Sequence, residues 1–284
     1  MTYSDLWQRL LPHYDEREAK AVVRTLVEEL FQLTLTDLYA GGLDNLTTAE
    51  QQRLETEAGI PVQYVTGTAR FFGRDYVVNP HVLIPRPETE VLCETILSAY
   101  NQSYCALQPP VPLRVLDIGT GSGCIAVTLA LDLWNSSVSA WDVSGEALLT
   151  ARENAHRLQA QVNFEWHDVL SLDEAALAAT PFDIIVSNPP YVCDRERKDM
   201  IEQVLAHEPH TALFVPDNDP LLFYRAIADY GTTHLNPHGL LAFEINPLFA
   251  KEMCELLESK GYEQVEVKTD QYGKERVVVG VARQ

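Results

Sequence analysis

The residues that could do chemistry most directly are Asn188, Pro189, Pro190 and Tyr191, which follow an apolar run at 182–187. The prolines stiffen the turn and bring no N–H groups, so the Asn188 side-chain oxygen and the Pro189 carbonyl can both act as acceptors. Two acceptors can hold both hydrogens of a planar NH2 group, whose delocalised lone pair reacts slowly unless the nitrogen is oriented toward a methyl carbon. The Tyr191 ring can cover such a planar group. The motif predicts methylation of an amide or amino nitrogen; the alternative is a strand-end turn with a stacked tyrosine.

A glycine-rich segment lies upstream, between the apolar run 113–118 and a helical pattern. Its residues are Gly119, Thr120, Gly121, Ser122 and Gly123. Glycines let the backbone turn tightly and approach a ligand closely. The spacing GxGxG differs from the GxGxxG of dinucleotide-binding folds, and no Gly-Lys-Ser/Thr phosphate loop follows it. The segment predicts a cofactor loop; a tight turn without a ligand is the alternative.

Three aspartates stand near the ends of the predicted strands. Asp142 comes about 20 residues after the glycines, where a carboxylate can accept hydrogen bonds from ribose hydroxyls, although it could instead cap the next helix. Asp168 could accept from an adenine amino group or lie in an exposed loop. Asp117, just before the glycines, would face the amine of a methionine moiety. Together these features resemble an S-adenosylmethionine site.

The elements that must position these residues alternate between strand and helix from residue 113 onward. The predicted strands are 113–118, 137–142, 162–166, 182–187, 239–245, 262–268 and 275–282. The predicted helices between them are near 122–133, 144–159, 219–230 and 247–260. Strands separated by helices indicate an α/β fold with a mainly parallel, doubly wound sheet. The last two strands are joined by a short turn, so the last one lies antiparallel, which is typical of class I methyltransferases.

The N-terminal part predicts a small helical bundle. Apolar residues recur at helical spacing within 22–31. Thr47 and Glu50 have the spacing of a capping box and open a helix that ends near Gly59. Residues 68–84 alternate apolar and polar side chains around a glycine, which predicts a β-hairpin linker. The predicted domains are a helical bundle at 1–67, the linker at 68–84 and a catalytic domain at 85–284.

Composition and charge exclude several classes of protein. The chain of 284 residues is 46% hydrophobic and 22% charged, so it is neither collagen-like nor disordered. With 21 Lys and Arg against 41 Asp and Glu, its net charge of −20 argues against a broad nucleic-acid surface. The five cysteines include no CxxC pair and the eight histidines no HExxH pair, so we expect neither disulfides nor a metal site. The sequence shows no secretory-signal pattern and no run of about 18 apolar residues, so we expect a cytoplasmic monomer without a membrane partner.

A second motif, LIPRPETE at 83–90, precedes the helix that enters the catalytic domain, and PVQYVTG at 61–67 lies upstream. With VLDIGTGSG, IVSNPPY, HEPHTAL and the terminal ERVVVG segment, the chain resembles the peptide chain release factor glutamine methyltransferases over nearly its whole length. That family methylates the side-chain amide nitrogen (N5) of the glutamine in the Gly-Gly-Gln loop of class 1 release factors. The methyl donor is S-adenosyl-L-methionine and the product is S-adenosyl-L-homocysteine. The resemblance implies a class I methyltransferase fold, with a seven-stranded sheet, joined to an N-terminal bundle that recognises the substrate.

The resemblance also implies a role for each matched residue. The glycine-rich segment cradles the methionine moiety, Asp142 holds the ribose, and Asp168 and Val169 face the adenine. The residues from Asn188 to Tyr191 bind the substrate by gripping the glutamine amide, and three of them are catalytic: Asn188, Pro189 and Tyr191. Asn188 also borders the cofactor. Two further residues border the cofactor from the linker side: Arg86 and Thr89. An interdomain ion pair is an equal alternative for Arg86.

Two positions leave questions open. Many members of the family carry Trp directly after the acidic residue of the third-strand loop, whereas this chain has Val169, which offers less stacking to adenine. Glu244, at the end of the fifth strand, could reach the substrate or order the linker, and we favour a buried structural acid.

Two other functions remain as competing hypotheses. A nucleic-acid methyltransferase acting on adenine N6 or guanine N2 would share both main motifs, but it would need a cationic surface. Residues 81–284 carry 14 basic against 29 acidic side chains, which offers a poor one. A cofactor-binding module without catalysis would leave the Asn-Pro-Pro-Tyr motif unexplained.

Overall fold

The computed structural model describes residues 2–12, 14–107 and 111–283. Its N-terminal helices are α1 (Tyr3–Leu10), α2 (Glu16–Phe31), α3 (Leu35–Tyr39), a 3-10 helix (Gly42–Asn45), α4 (Thr48–Glu57) and α5 (Val62–Thr66). The capping box predicted at Thr47 is confirmed, because the Thr47 hydroxyl accepts from the Glu50 N–H and the Glu50 carboxylate accepts from the Thr47 N–H. Thr2 and Thr34 cap α1 and α3 in the same reciprocal way. Leu26, Val27 and Leu54 are fully buried in the core of this bundle.

A β-hairpin and one long helix connect the bundle to the rest of the molecule. Strands β1 (Thr68–Phe71) and β2 (Arg74–Val77) pair antiparallel, and α6 (Pro87–Leu107) follows. The hairpin is therefore shorter than the predicted linker, since no strand continues through 78–84. The hairpin packs on the following domain through Tyr76, which is fully buried with its hydroxyl 2.9 Å from the Thr128 hydroxyl.

The rest of the chain forms one seven-stranded sheet flanked by helices. The strands of this sheet are β3 (Leu113–Ile118), β4 (Ser136–Asp142), β5 (Val162–Trp166), β6 (Phe182–Ser187), β9 (Leu235–Glu244), β10 (Glu263–Thr269) and β11 (Glu275–Val281). Their order across the sheet is β10-β11-β9-β6-β3-β4-β5. All neighbours pair parallel except β11, which is antiparallel to both β9 and β10. The predicted class I methyltransferase topology is confirmed.

Helices cover both faces of the sheet. They are α7 (Cys124–Asp132), α8 (Gly145–Leu158), α9 (Glu174–Leu177), α10 (Glu202–His207), α11 (Leu222–His234) and α12 (Ala250–Ser259). One apolar core joins α6, α7 and α8 to side chains such as Val115 and Ile184 on one face. A second core joins α9, α11 and α12 to Leu116 and Ile185 on the other. Alternate strand residues thus serve opposite layers, because successive side chains of a strand point to opposite faces.

Two strands contain bulges that the sequence pattern did not predict. Strand β9 begins at Leu235, four residues before the predicted start, and its register with β6 shifts between Phe182 and Ile184. His238 has a φ of 63°, and a Cβ on Gly239 would lie 2.8 Å from the Asn236 carbonyl oxygen. The Asn-Pro-His-Gly segment, whose residue types are typical of turns, therefore forms a bulge inside the strand. Strand β10 has register shifts next to Glu263 and next to Lys268.

The segment between β6 and α11 contains short elements that the sequence pattern did not predict. Strands β7 (Val192–Cys193) and β8 (Phe214–Val215) pair parallel, and between them lie α10 and 3-10 helices at Asp194–Asp199 and His210–Ala212. A further 3-10 helix, Pro247–Phe249, precedes α12. Among the helices in the described ranges, none is long and apolar enough to cross a membrane.

Candidate active site

A cavity of about 420 Å³ opens at the carboxyl edge of the sheet, where ligands bind in parallel α/β folds. Most of the residues singled out from the sequence line it: Arg86, Thr89, Gly119, Thr120, Gly121, Ser122, Asp142, Asp168, Val169, Asn188, Pro189 and Pro190. The fold therefore brings the glycine-rich segment, two of the aspartates and the Asn-Pro-Pro motif to one site. Gly123, Asp117 and Tyr191 do not belong to the wall of this cavity.

The glycine-rich segment leaves β3 with three residues in the left-handed region. The φ angles are 74° at Gly119, 54° at Gly121 and 81° at Gly123, which glycine adopts without strain. A Cβ at Gly119 or Gly121 would meet no atom within 4 Å, so space for a ligand lies beyond them. At Gly123 a Cβ would lie 3.0 Å from the Cβ of Ala151, so this glycine allows the loop to pack closely on α8.

Asp117 lies beneath the loop and is fully buried. Its Oδ2 accepts hydrogen bonds from the Thr120 hydroxyl at 2.7 Å and from the Ala126 N–H at 3.2 Å. Its Oδ1 has no hydrogen-bond partner. Burial raises the pKa of this carboxyl to about 7, and the two hydrogen bonds partly offset the rise. Asp117 therefore holds the loop and the start of α7 together, and one of its oxygens remains to accept a further donor.

Asp142 ends β4 and connects the loop to the next helix. Its Oδ2 accepts from the Gly121 N–H at 2.8 Å, and its Oδ1 accepts from the Ser144 N–H at 2.8 Å. The cap of α8 is Ser144, whose hydroxyl accepts from the Ala147 N–H at 3.1 Å. Because a carboxylate has about four acceptor positions, Asp142 can still accept two hydroxyl groups from the cavity. Burial raises the pKa of Asp142.

The loop after β5 forms a further wall of the cavity. The Asp168 Oδ1 accepts from the Leu170 N–H at 2.9 Å, and Val169 also packs against the core beside α9. His167 lines the cavity as well, although the sequence pattern gave no reason to select it. Its ring centroid is 4.5 Å from that of Trp141, and its Nδ1 lies 3.3 Å from Asp173. This wall is therefore part apolar and part polar.

The Asn-Pro-Pro-Tyr turn is held on both sides. The Asn188 Nδ2 donates to the Thr89 hydroxyl oxygen at 3.2 Å, which leaves the Asn188 Oδ1 available. The Tyr191 hydroxyl donates to Oε1 of Glu244 at 3.0 Å, and burial raises the pKa of Tyr191 well above its usual value. The Ser187 hydroxyl ties the end of β6 to β3 by donating to the Ile118 carbonyl at 2.6 Å. The covering role of the Tyr191 ring stays a prediction.

Arg86 lines the cavity and also makes an ion pair. Its partner is Glu208, a buried residue of the HEPHTAL segment, which also accepts from the Ile84 N–H at 3.3 Å. The ion pair expected for Arg86 is therefore present, together with its place in the cavity wall. The pair joins the start of α6 to the segment after α10. Glu208 is not recognisable from the sequence pattern, because its partner lies 122 positions away.

Asn154 of α8 is also not recognisable from the sequence pattern. Its Oδ1 accepts from the Val77 N–H at 2.6 Å, and its Nδ2 donates at 2.9 Å both to the Val77 carbonyl and to the Ser122 carbonyl. One turn earlier, the Thr150 hydroxyl accepts from Asn79 Nδ2 at 2.9 Å. One face of α8 therefore holds the hairpin and the glycine-rich loop in fixed relation.

Nucleophilic and metal chemistry have little support at this site. Cys124 lines the cavity, but burial raises the pKa of its thiol to about 12, so the thiol stays protonated at neutral pH. Throughout the described parts of the chain, no group of three or more His, Cys, Asp or Glu side chains could hold a metal ion.

Comparison with known proteins agrees with this geometry. The family model described as "Methyltransferase small domain" matches residues 105–215. The release factor glutamine methyltransferase of Bacteroides thetaiotaomicron is 42% identical over 276 residues, which cover 95% of this chain and 95% of that protein. The protein of the same name from Flavobacterium psychrophilum is 42% identical over 276 residues, which cover 95% of this chain and 94% of that protein.

Solved structures share the fold. A methyltransferase from Pyrococcus furiosus has a TM-score of 0.54 and 19% identity, over 84% of this chain and 100% of that chain. A 16S rRNA N2 methyltransferase from T. thermophilus, in complex with AdoMet and guanosine, has a TM-score of 0.54 and 20% identity. That match covers 76% of this chain and 50% of the other. At these identities the likeness extends to the fold alone.

Proposed function

Because the chain belongs to the release factor glutamine methyltransferase family, with 42% identity to members over 95% of its length, we propose that it methylates the Gly-Gly-Gln glutamine of class 1 peptide chain release factors. The methyl group goes to the side-chain amide nitrogen (N5) of that glutamine. The methyl donor is S-adenosyl-L-methionine, and S-adenosyl-L-homocysteine is the other product.

The cavity residues fit this cofactor. When bound, S-adenosyl-L-methionine supplies a methyl carbon attached to a positively charged sulfur. The open space beyond Gly119 and Gly121 suits the methionine moiety, and the free acceptor positions of Asp142 suit the two ribose hydroxyls. Asp168, Val169, Arg86 and Thr89 line the same cavity. We propose that the first two border the adenine and that Arg86 and Thr89 border the cofactor from the linker side.

The observation that carries the proposal is the pair of acceptors at the end of β6. The Asn188 amide is oriented by Thr89, so its oxygen can accept one hydrogen of a substrate NH2 group while the Pro189 carbonyl accepts the other. An amide nitrogen is a weak nucleophile, and much of its rate must come from orientation at a close distance. Positive charge develops on the nitrogen as it gains the methyl group, and two fixed acceptors stabilise that charge until the extra proton leaves.

A protein substrate fits the charge of this chain better than a nucleic acid does. The net charge of −20 repels phosphate backbones, which disfavours the nucleic-acid alternative. We propose that the helical bundle recognises the release factor while the cavity admits its Gly-Gly-Gln loop. We also propose that the chain acts as a monomer in the cytoplasm, where release factors function.

The proposal is tested by methyl transfer from labelled cofactor. The enzyme is incubated with a class 1 release factor, with its Gly-Gly-Gln→Gly-Gly-Ala variant, or with tRNA or DNA. Label on the unmodified release factor alone is the expected result. Label on the nucleic acid alone would instead support the adenine or guanine methyltransferase.

A further inference from the structure

Glu244 is a buried acid that the proposed function does not use. It is the last residue of β9, next to the end of β6, and only 1% of its surface is exposed. Its Oε1 accepts the hydrogen bond from the Tyr191 hydroxyl at 3.0 Å. Its Oε2 is buried and has no hydrogen-bond partner. A buried carboxylate oxygen without a hydrogen-bond partner lowers the stability of the fold, so its presence beside the candidate active site needs an explanation.

Thr89 lies between this carboxylate and the Asn188 amide. The Thr89 oxygen accepts the hydrogen bond from Asn188 Nδ2 at 3.2 Å. The Thr89 hydroxyl hydrogen remains available for donation, and Glu244 lies close enough for this hydroxyl to lower its pKa. No hydrogen bond joins Thr89 to Glu244 in the structure, but the unpartnered Oε2 is an acceptor that this hydroxyl can take, and such a bond would continue the Asn188–Thr89 contact to Glu244.

The direction of these two hydrogen bonds decides which Asn188 atom faces the substrate. An ionised Glu244 can only accept, so in a bond between the two Thr89 must donate and can then only accept from Asn188. Asn188 must turn its NH2 group toward Thr89 and its oxygen toward the cavity. A neutral Glu244 can donate to Thr89 instead, and Thr89 can then donate to the Asn188 oxygen. The Asn188 amide would then turn its own NH2 group toward the NH2 group of the substrate, and these two donors repel each other.

We propose that Glu244 is a positioning residue: acting through Thr89, its carboxylate selects the Asn188 amide orientation in which the oxygen faces the substrate nitrogen. The proposal rests on the proposed function, because it concerns the group that grips the glutamine amide.

The geometry makes turnover sensitive to pH. Burial raises the pKa of Glu244 to about 7, although the Thr89 and Tyr191 hydroxyls lower it. The titratable groups that face it are Glu88 and Cys93 of α6, Cys124 of α7, Tyr191, Tyr224 of α11 and Arg276 of β11. Of these, Glu88 raises the pKa of Glu244 and Arg276 lowers it. Since the ionised form is the productive one, kcat falls as the pH drops below about 7.

Four variants test the proposal in the full chain, with a class 1 release factor as substrate and saturating cofactor. In Glu244→Gln, the amide accepts from Tyr191 through its oxygen and donates to Thr89, which turns Asn188 the wrong way. We expect kcat to fall roughly 10- to 100-fold, which is somewhat less than the fall expected when a stabilising group is deleted. We also expect the dependence of kcat on pH near 7 to disappear. Thr89→Val removes the hydroxyl without imposing an orientation on Asn188, so it lowers kcat less than Glu244→Gln does. Thr89→Ser keeps the hydroxyl and is expected to retain a higher kcat than Thr89→Val.

The double variant Glu244→Gln/Thr89→Val separates positioning from simple structural support. If Glu244 acts through Thr89, the second substitution removes the harmful donor and raises kcat to the level of Thr89→Val alone. If the carboxylate only stabilises the fold, the two losses add and the proposal is overturned. Glu255→Gln, an exposed acid on α12 paired with Lys251, serves as the unaffected control.

Two further results separate this inference from the proposed function. Wild-type protein that fails to methylate the release factor contradicts the proposed function itself. Wild-type activity combined with unchanged kcat and an unchanged pH profile in Glu244→Gln contradicts only the positioning role. Cofactor affinity measured by calorimetry is expected to stay within about threefold in Glu244→Gln, because Glu244 does not line the cavity.

Discussion

Replacing Asn154 with alanine is expected to lower the unfolding free energy of the protein strongly. The change removes three hydrogen bonds and leaves the Val77 N–H, the Val77 carbonyl and the Ser122 carbonyl without partners. Each unsatisfied buried group costs roughly 1–3 kcal/mol, and the small space left by the side chain admits water that recovers part of this cost. The unfolding free energy should therefore fall by about 3–5 kcal/mol, a large share of the usual total of about 5–15 kcal/mol.

Urea denaturation followed by circular dichroism measures this change. Asn163→Ala, an exposed asparagine on β5, is the matched control and is expected to shift the unfolding free energy by less than about 0.5 kcal/mol. Asn154→Asp keeps the acceptor for Val77 but places negative charge beside two carbonyl oxygens, so it should be no more stable than the alanine variant. If Asn154→Ala lowers the unfolding free energy no more than the control does, then Asn154 does not hold the hairpin and the glycine-rich loop together. Calorimetry with S-adenosylhomocysteine should also show weaker binding, because the Ser122 carbonyl belongs to the cofactor loop.

Three further outcomes are expected. Asn188→Ala should lower kcat about 100- to 1,000-fold, the effect of deleting one fixed stabilising group, while calorimetry still detects cofactor binding; near-normal methyl transfer would contradict the role of Asn188. Asp142→Ala should weaken cofactor binding far more than it lowers the unfolding midpoint, and unchanged affinity in calorimetry would rule out the ribose contact. The pKa of Asp117 is about 7 in the folded state against 3.8 as its ordinary value, so the folded state keeps a proton that the unfolded state releases. Stability should therefore decline as pH rises from about 4 to about 7, and urea midpoints at pH 5 and pH 8 should differ less in Asp117→Asn than in the wild type.

Patterns that depend on neighbours in sequence predicted the fold well. The seven strands of the main sheet and the antiparallel last strand follow from alternation, helix spacing and a short turn, and these are local signals. The capping box at Thr47 was readable for the same reason. Local signals failed at Asn236 to Gly239. These residues are typical of turns and predict a loop before the strand, whereas they form a bulge within β9.

The cavity wall was predictable where strand ends carry conspicuous residue types. Asn188, Asp142 and the glycines all follow predicted strands, and the carboxyl ends of parallel strands meet at one edge. Asn154 and Glu208 could not be found in this way, because their partners lie 77 and 122 positions away along the chain. Their residue types are ordinary, so only the packing of α8 and of the segment after α10 reveals their function.

The two outer strands of the sheet bear on how the protein avoids aggregation. An edge strand exposes unpaired N–H and carbonyl groups that invite strands of other molecules. The register shifts in the pairing of β10 with β11 bend this edge strand, and its charged residues Glu263, Glu266 and Lys268 discourage close approach of another strand. On the opposite edge, the Arg152 guanidinium donates to the Phe164 carbonyl at 2.8 Å and occupies part of the outer row of β5. Both edges are thus poor templates for the addition of a strand from another molecule.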